Sequence, residues 1–251
     1  MMMDVRQEVE RGAIRMLLER LADDTVAVAS GELRFRTPGN ASAKGADSYW
    51  SYEKNLREAE SRVWAVPGAT GALYVVRASD AEPPPPGTIL DDVWIPMRAA
   101  MRGKRCLFVR GAVTWDEPER DLRREAARKR RTNAGNWQLA SMDPGVLLPW
   151  KNRIWGVFWS HKILRLLTPF ACLVCVAGVI GQAWSSGNAM WIAAAWLAVA
   201  GVLTCAASAA LAGRVRLRIA GILASVWNLN WALLAAAWDA AHGRYHGRWR
   251  T

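Results

Sequence analysis

Two adjacent carboxylates, Asp91 and Asp92, open an apolar helical pattern in TILDDVWIPMRAAMRGKRCLFV, residues 88–109. An acid at that point either caps the helix, because it satisfies free amides and suits the positive end of the dipole, or acts as a general base toward a hydroxyl nucleophile, held rigidly beside the preceding loop. Upstream, Gly68-Ala69-Thr70-Gly71 leads into the apolar segment ALYVV. Two glycines in a tight loop let a backbone approach a ligand closely, or merely turn the chain. Downstream, Arg128 and Arg131 in ARKRRTNAGNW are three apart and share a helix face. Such a pair can grip one multiply charged anion, for example a diphosphate; a solvated basic face and a patch for acidic lipid headgroups are the alternatives. Asp4, in Asp4-Val5-Arg6-Gln7, is uninformative alone.

Elements must carry these residues. In EVERGAIRMLLERL, residues 8–21, Ile14, Leu17, Leu18 and Leu21 recur at helical spacing with charges opposite, which predicts a helix. TVAVASGELRF alternates like a strand, and RTPGNASAKGAD reads as a loop whose Asn40-Ala41-Ser42 matches a glycosylation sequon by chance. SYWSYEKNLREAESRV predicts a helix with Tyr49, Tyr52, Leu56 and Val63 on its apolar stripe. The proline run in AEPPPPGT continues neither element type. Val93, Trp94, Met97, Ala100 and Met101 then form an apolar helical face, Gly103 ends that helix, CLFV resumes a strand, and a further helix begins near Glu119. This alternation predicts an α/β layer structure over residues 1–140.

Charge divides the chain. Residues 1–162 hold 26 of the 33 Lys and Arg and 21 of the 22 Asp and Glu, so an apolar, Trp-rich remainder follows a charge-dense segment. Three apolar stretches in that remainder, about 163–184, 190–212 and 219–238, have the length of membrane-crossing helices. Trp184, Trp191 and Trp238 lie near their ends, as interfacial tryptophans do. Basic residues before the first stretch, and Arg214, Arg216 and Arg218 between the second and third, place the soluble part in the cytoplasm. Three crossings leave Arg244, Arg248 and Arg250 on the far side, against that rule, so the last stretch, with Asn228 and Asn230, is alternatively interfacial or re-entrant. Cys172-x-x-Cys175 matches a redox or zinc spacing, but within an apolar helix it predicts buried packing. The first residues show neither the apolar core nor the cleavage site of a signal peptide.

The order of these stretches, ending in membrane helices, resembles the C-terminal part of membrane-bound family 2 glycosyltransferases, the group with cellulose, hyaluronan and poly-N-acetylglucosamine synthases. Asp4-Val5-Arg6 looks like its DxD motif with Arg6 at the second acid, Gly68-Ala69-Thr70-Gly71 like its acceptor loop, and Leu90-Asp91-Asp92 like its T-E-D motif. Arg128-Lys129-Arg130-Arg131-Thr132 looks like QxxRW with Arg first and Thr last, and YWSYEKNLREAESR and FWSHKILRLLTPF are also similar to that group. The resemblance implies an α/β fold, the C-terminal portion of a GT-A-type domain in residues 1–150 with the donor-binding half absent. An interfacial segment and an all-α transmembrane region of about three helices follow in 151–251.

It further implies inverting glycosyl transfer from a nucleotide-sugar to an acceptor hydroxyl at the membrane surface, by this chain as the back part of a longer hexosyltransferase-like enzyme. Asp92 takes the role of catalytic base and Asp91 that of cap; Arg128 and Arg131 meet the donor diphosphate; Gly68, Ala69, Thr70 and Gly71 line the acceptor; and Asp4 ligates a divalent metal, Mg or Mn. The expected partners are the nucleotide-sugar, a glycan or lipid acceptor, and membrane lipids, in a multi-pass protein of the cell membrane. A truncated, non-catalytic membrane subunit is the alternative. Nucleic acid is not an expected partner, because the basic excess beside membrane helices has a topological explanation and no nucleic-acid-binding motif is present.

Overall fold

The computed structural model describes residues 1–36, 43–117, 122–211 and 218–244, with side chains left out at 43–50, 122–123 and 218. The described residues form two compact units, Met1–Leu122 with Gln138–Lys162, and Arg123–Trp137 with Ile163–Tyr245.

In the first unit, Met2–Met3 (β1), Glu8–Val9 (β2), Val26–Phe35 (β3), Leu73–Val76 (β4) and Arg105–Asp116 (β5) make a mixed five-stranded sheet in the order β1-β4-β3-β5-β2. β3 runs parallel to β5, and every other pairing is antiparallel. Small and branched side chains fill both faces of β3, and both faces are buried over residues 26–32, as a central strand requires. On one face lies Ala13–Arg20 (α1), whose Ala13 and Leu17 pack with Ala29, Leu73, Val75, Val109 and Ala112. Because successive strand residues point to opposite faces, Ser30 and Glu32 project from the other face. There they meet the 68–71 loop and Ala43–Val63 (α2): Ser30 Oγ accepts from the Thr70 amide at 2.7 Å and Lys54 Nζ donates to Glu32 at 3.0 Å. Asp91–Met101 (α3) buries Val93, Trp94, Met97 and Ala100 of the apolar face that the sequence predicts, and Ile95, Pro96 and Ala99 as well, while Met101 is only half-buried.

Gly31 is the closest crossing in this sheet. A Cβ there would stand 2.8 Å from the Ala112 carbonyl oxygen and 3.2 Å from that of Leu73, backbone atoms of both neighbouring strands, where the β3–β5 register also shifts. Neither backbone can yield without breaking its ladder. Gly31→Ala is expected to cost about 1–3 kcal/mol or more, read as a lower midpoint of thermal unfolding in detergent.

Leu122–Met142 (α4) has Arg123–Trp137 in the second unit. A 3₁₀ turn (Pro144–Leu147), a single helical turn (Trp155–Phe158, α5) and a π-helical turn (Trp159–Ile163) lead to Leu164–Ser186 (α6), Ala189–Ala210 (α7) and Arg218–Ala241 (α8). The second unit's three helices pack on one another. Asn188 caps α7 by accepting from the Met190 amide, directly after Gly187 turns the chain at φ 60°. All three helices are long and apolar enough to cross a membrane.

Several expectations change. Residues 8–12 are not helical: Glu8 and Val9 pair with Trp115 and Thr114, and Gly12, at φ 89°, turns the chain so that α1 starts at Ala13. On α1 the buried residues are Ala13 and Leu17, whereas Ile14 and Leu18 face outward. β5 extends well past CLFV. The apolar stripe assigned to α2 is not its buried face: Tyr52 is 61% and Val63 74% exposed, while Glu53, Glu60 and Ser61 are buried. That helix docks through polar contacts, for which a hydrophobic pattern gives no signal. Cys172 and Cys175 are exposed rather than buried, because α6 packs along only part of its surface and turns the rest outward, as lipid-facing helices do. The sequon Asn40-Ala41-Ser42, the helix start near Glu119, and Arg214, Arg216, Arg248 and Arg250 lie outside the described residues.

Candidate active site

α3 begins without a side-chain cap, since the residue preceding it is Leu90. Asp91 therefore does not cap the helix as expected. Both acids lie inside its first turn, where a carboxylate suits the dipole. Asp91 is exposed and Asp92 half-buried. Pro96, four residues after Asp92, has no N–H to donate to the Asp92 carbonyl. That carbonyl instead accepts from the Ala69 amide at 2.7 Å. A proline inside a helix thus frees the acceptor that docks the Gly68–Gly71 loop.

The loop is held on its other sides as well. The Thr70 amide donates to Ser30 Oγ at 2.7 Å, and Arg57 Nη1 donates to Thr70 Oγ1 at 2.8 Å. The Leu73 amide closes the turn onto the Thr70 carbonyl, and the Asp4 amide donates to the Ala72 carbonyl. Its glycines permit the approach to α3. A Cβ on Gly71 would lie 2.9 Å from Asp92 Oδ2, and one on Gly68 would lie 3.2 Å from Val93 Cγ2. The loop and the carboxylate that the sequence singles out separately are therefore one constellation.

Burial pushes the Asp92 carboxyl up to about 6, and the neighbouring Asp91 charge adds to this, against the opposing pull of Lys162 and Arg57. A carboxylate titrating there is ionised at neutral pH yet basic enough to accept a proton. Tyr74, fully buried on the strand after the loop, has its phenol raised by burial and by both aspartates. Arg57 in turn leans on Glu53 at 3.4 Å, and Glu53 and Glu60 both contact His161. None of Ser30, Glu53, Arg57, Glu60, Pro96, His161 and Lys162 is singled out in the sequence as a site residue, although Glu53, Arg57, Glu60, His161 and Lys162 lie in the two stretches YWSYEKNLREAESR and FWSHKILRLLTPF that carry part of the resemblance. The available signals are the i, i+4, i+7 spacing of Glu53, Arg57 and Glu60, and a proline four residues after Asp92.

The remaining candidates lie elsewhere in the chain. Arg128 and Arg131 are on α4, within the second unit, where Arg128 pairs with Glu125 at 2.6 Å. Between them, Arg130 makes a two-pronged ion pair with Asp239 of α8, at 2.6 and 2.7 Å. This uses the single acid of residues 163–251. Asp4 faces Arg6, whose Nε is 3.4 Å from its carboxylate and whose Nη2 is 3.7 Å from Asp116. Asp4 is thus paired with a guanidinium, and among the described residues no group of three or more His, Cys, Asp or Glu is placed to hold a metal ion.

Comparison with known proteins gives these observations a setting. The mannosyltransferase PcManGT from Pyrobaculum calidifontis, solved in complex with GDP-Man and Mn2+, superposes with a TM-score of 0.60 at 21% identity, over 94% of this chain. That is a likeness of fold, the GT-A architecture, and this chain spans 59% of the length of that one. No curated protein matches the sequence. A family model described as glycosyl transferase family group 2 matches residues 6–238, which takes in the 68–71 loop, Asp92, the arginines of α4 and the three apolar helices. The chain belongs to that family, the family 2 glycosyltransferases.

Proposed function

We propose that this chain carries the acceptor-activating part of a membrane-bound, inverting glycosyltransferase that uses a nucleotide-sugar donor, and that Asp92 is its catalytic base. The observation that carries this reading is the placement of Asp92: a carboxyl pushed up to about 6, against a loop whose Gly71 has no side chain to crowd its Oδ2. In the proposed step Asp92 takes the proton of the acceptor hydroxyl. The resulting oxygen attacks the anomeric carbon from the side opposite the diphosphate, the bond from that carbon to the diphosphate oxygen breaks, and the nucleoside diphosphate leaves with the electron pair. Displacement in one step inverts the anomeric centre. A role for Arg128 and Arg131 in offsetting charge on the departing diphosphate rests on the likeness of residues 128–132 to the QxxRW motif alone. Because Arg6 already pairs with Asp4, the described residues do not make a divalent-cation site of their own, and no step here runs through one.

The three apolar helices suit a place in the cell membrane, and the basic residues of the soluble part favour the cytoplasmic side for it. An acceptor that is a lipid-linked or growing glycan fits such a surface. The test is incubation of membranes containing the full-length protein with a panel of radiolabelled nucleotide-sugars. The expected result is incorporation of one hexose with inverted anomeric configuration, read by NMR of the product. Retention of configuration, or no incorporation from any donor, would overturn the reading, and the latter outcome would leave a non-catalytic membrane subunit.

A further inference from the structure

The proposed step leaves unused a buried cluster of four ionisable side chains. His161 (2% exposed side chain), Glu60 (6%), Glu53 (11%) and Arg57 (15%) lie together between α2 and the π-helical turn Trp159–Ile163. His161 Nδ1 is 2.7 Å from Glu60 Oε1, and its Nε2 is 3.1 Å from Glu53 Oε1. A neutral imidazole donates from only one nitrogen and presents a lone pair at the other. Both contacts attract only if the cluster holds one proton more than a neutral ring and two carboxylates. With that proton and the Arg57 charge the four groups sum to zero, the condition under which such a cluster tolerates burial. The nearby Cys106 thiol, pushed up to about 12 by burial, adds no charge.

The cluster has an outlet. Glu53 Oε1, the atom facing His161, is also the atom facing Arg57 Nε at 3.4 Å. Arg57 Nη1 reaches Thr70 Oγ1 at 2.8 Å, inside the loop whose Ala69 amide bonds the Asp92 carbonyl. Helical spacing puts Glu53, Arg57 and Glu60 on one face of α2, and the widened π turn presents His161 to that face while Lys162, next in sequence, bears on Asp92. Widened turns of this kind recur at functional sites.

We propose that His161 is a positioning residue: held between Glu53 and Glu60, it fixes Arg57 beneath Thr70 and so keeps the 68–71 loop seated against Asp92. This rests on the reading of Asp92 as the base, but the loop's seating is measurable without catalysis. The experiment is amide hydrogen exchange, read by mass spectrometry, on the full-length protein in detergent, with wild type, His161→Gln, Arg57→Lys and the double variant, alongside kcat and donor KM. Glutamine keeps one hydrogen bond and loses the second; Arg57→Lys cuts the outlet itself. Exchange across residues 68–71 should rise at least about tenfold in each single variant, with the β3 and β5 amides unchanged. The double variant should show no further rise, because both act through one contact. kcat should fall about tenfold with donor KM unchanged. Unchanged loop exchange in folded His161→Gln, or effects that add in the double variant, would overturn the proposal. If His161→Gln does not fold, Glu53→Gln, of the same shape, takes its place with the same two outcomes. Altered loop exchange combined with normal transfer in Asp92→Asn would instead mean that the positioning holds and the assignment of the base fails.

Discussion

Asp92→Asn is expected to abolish transfer and, at neutral pH, to make the protein more stable. The folded state raises this carboxyl from an ordinary value of 3.8 to about 6, so the neutral form is the one that folding favours. Below the ordinary value the group is protonated whether the chain is folded or unfolded, and it costs nothing. As pH rises toward 6 the unfolded chain ionises first, and folding loses stability through that window, a loss that persists above it. Asparagine resembles the neutral carboxyl and escapes the loss. At pH 7.5 the gain should be on the order of 1–3 kcal/mol, a rise of about 2–12 °C in the unfolding midpoint; at pH 3.5 it should vanish. Loss of the general base should lower kcat by about a hundredfold or more. Thermal melts in detergent at the two pH values, beside transfer assays at pH 7.5, check both halves. A variant that is inert because it is misfolded would show a lower midpoint at both pH values.

Gly71→Ala should come close to that loss of activity by a different route. The added Cβ would sit 2.9 Å from Asp92 Oδ2, too near for any real contact, so the carboxylate must swing away. A displacement near 1 Å at a reacting group can cost about a hundredfold in rate, and the methyl also shields the carboxylate from water, which further raises its titration. The expected outcome is a fall of about a hundredfold in kcat/KM with little change in the unfolding midpoint, because the group that yields is the end of a side chain. Gly68→Ala, whose Cβ would press on Val93 Cγ2 at 3.2 Å, should produce a smaller fall. Equal effects of the two substitutions would mean that the contact with Asp92 is not what the loop protects.

Patterns that report on burial of apolar surface were readable. The limits of β3, Val93, Trp94 and Met97 on the buried face of α3, and the three long apolar helices all appear in the structure close to expectation, although β3 is buried on both faces rather than alternately. Two candidate stretches, the Gly68–Gly71 loop and Asp92, were also picked out, each by local composition; that they touch could not be read, because the contact is a backbone hydrogen bond from Ala69 made available by Pro96. α2 shows where such reading fails. Its tyrosines and Val63 suggested an apolar stripe, yet its buried face carries Glu53, Glu60 and Ser61, because their partners, His161 and the β5 backbone, lie far along the chain. The cap assigned to Asp91 failed for a smaller reason: the helix starts one residue earlier than a cap at that position would require, which puts Asp91 inside its first turn.

The central claim is that Asp92 is the base, and the pH dependence of transfer tests it most directly. With the full-length protein and its donor, kcat/KM should rise as pH increases through about 6 and then level off, since only the carboxylate can take the proton. Lys162→Gln should move that midpoint up, by removing a charge that favours the carboxylate, and Asp91→Asn should move it down, by removing one that opposes it. Opposite shifts of a midpoint near 6 are the predicted result. A profile flat from pH 5 to 8, or a midpoint indifferent to both substitutions, would contradict the assignment of Asp92.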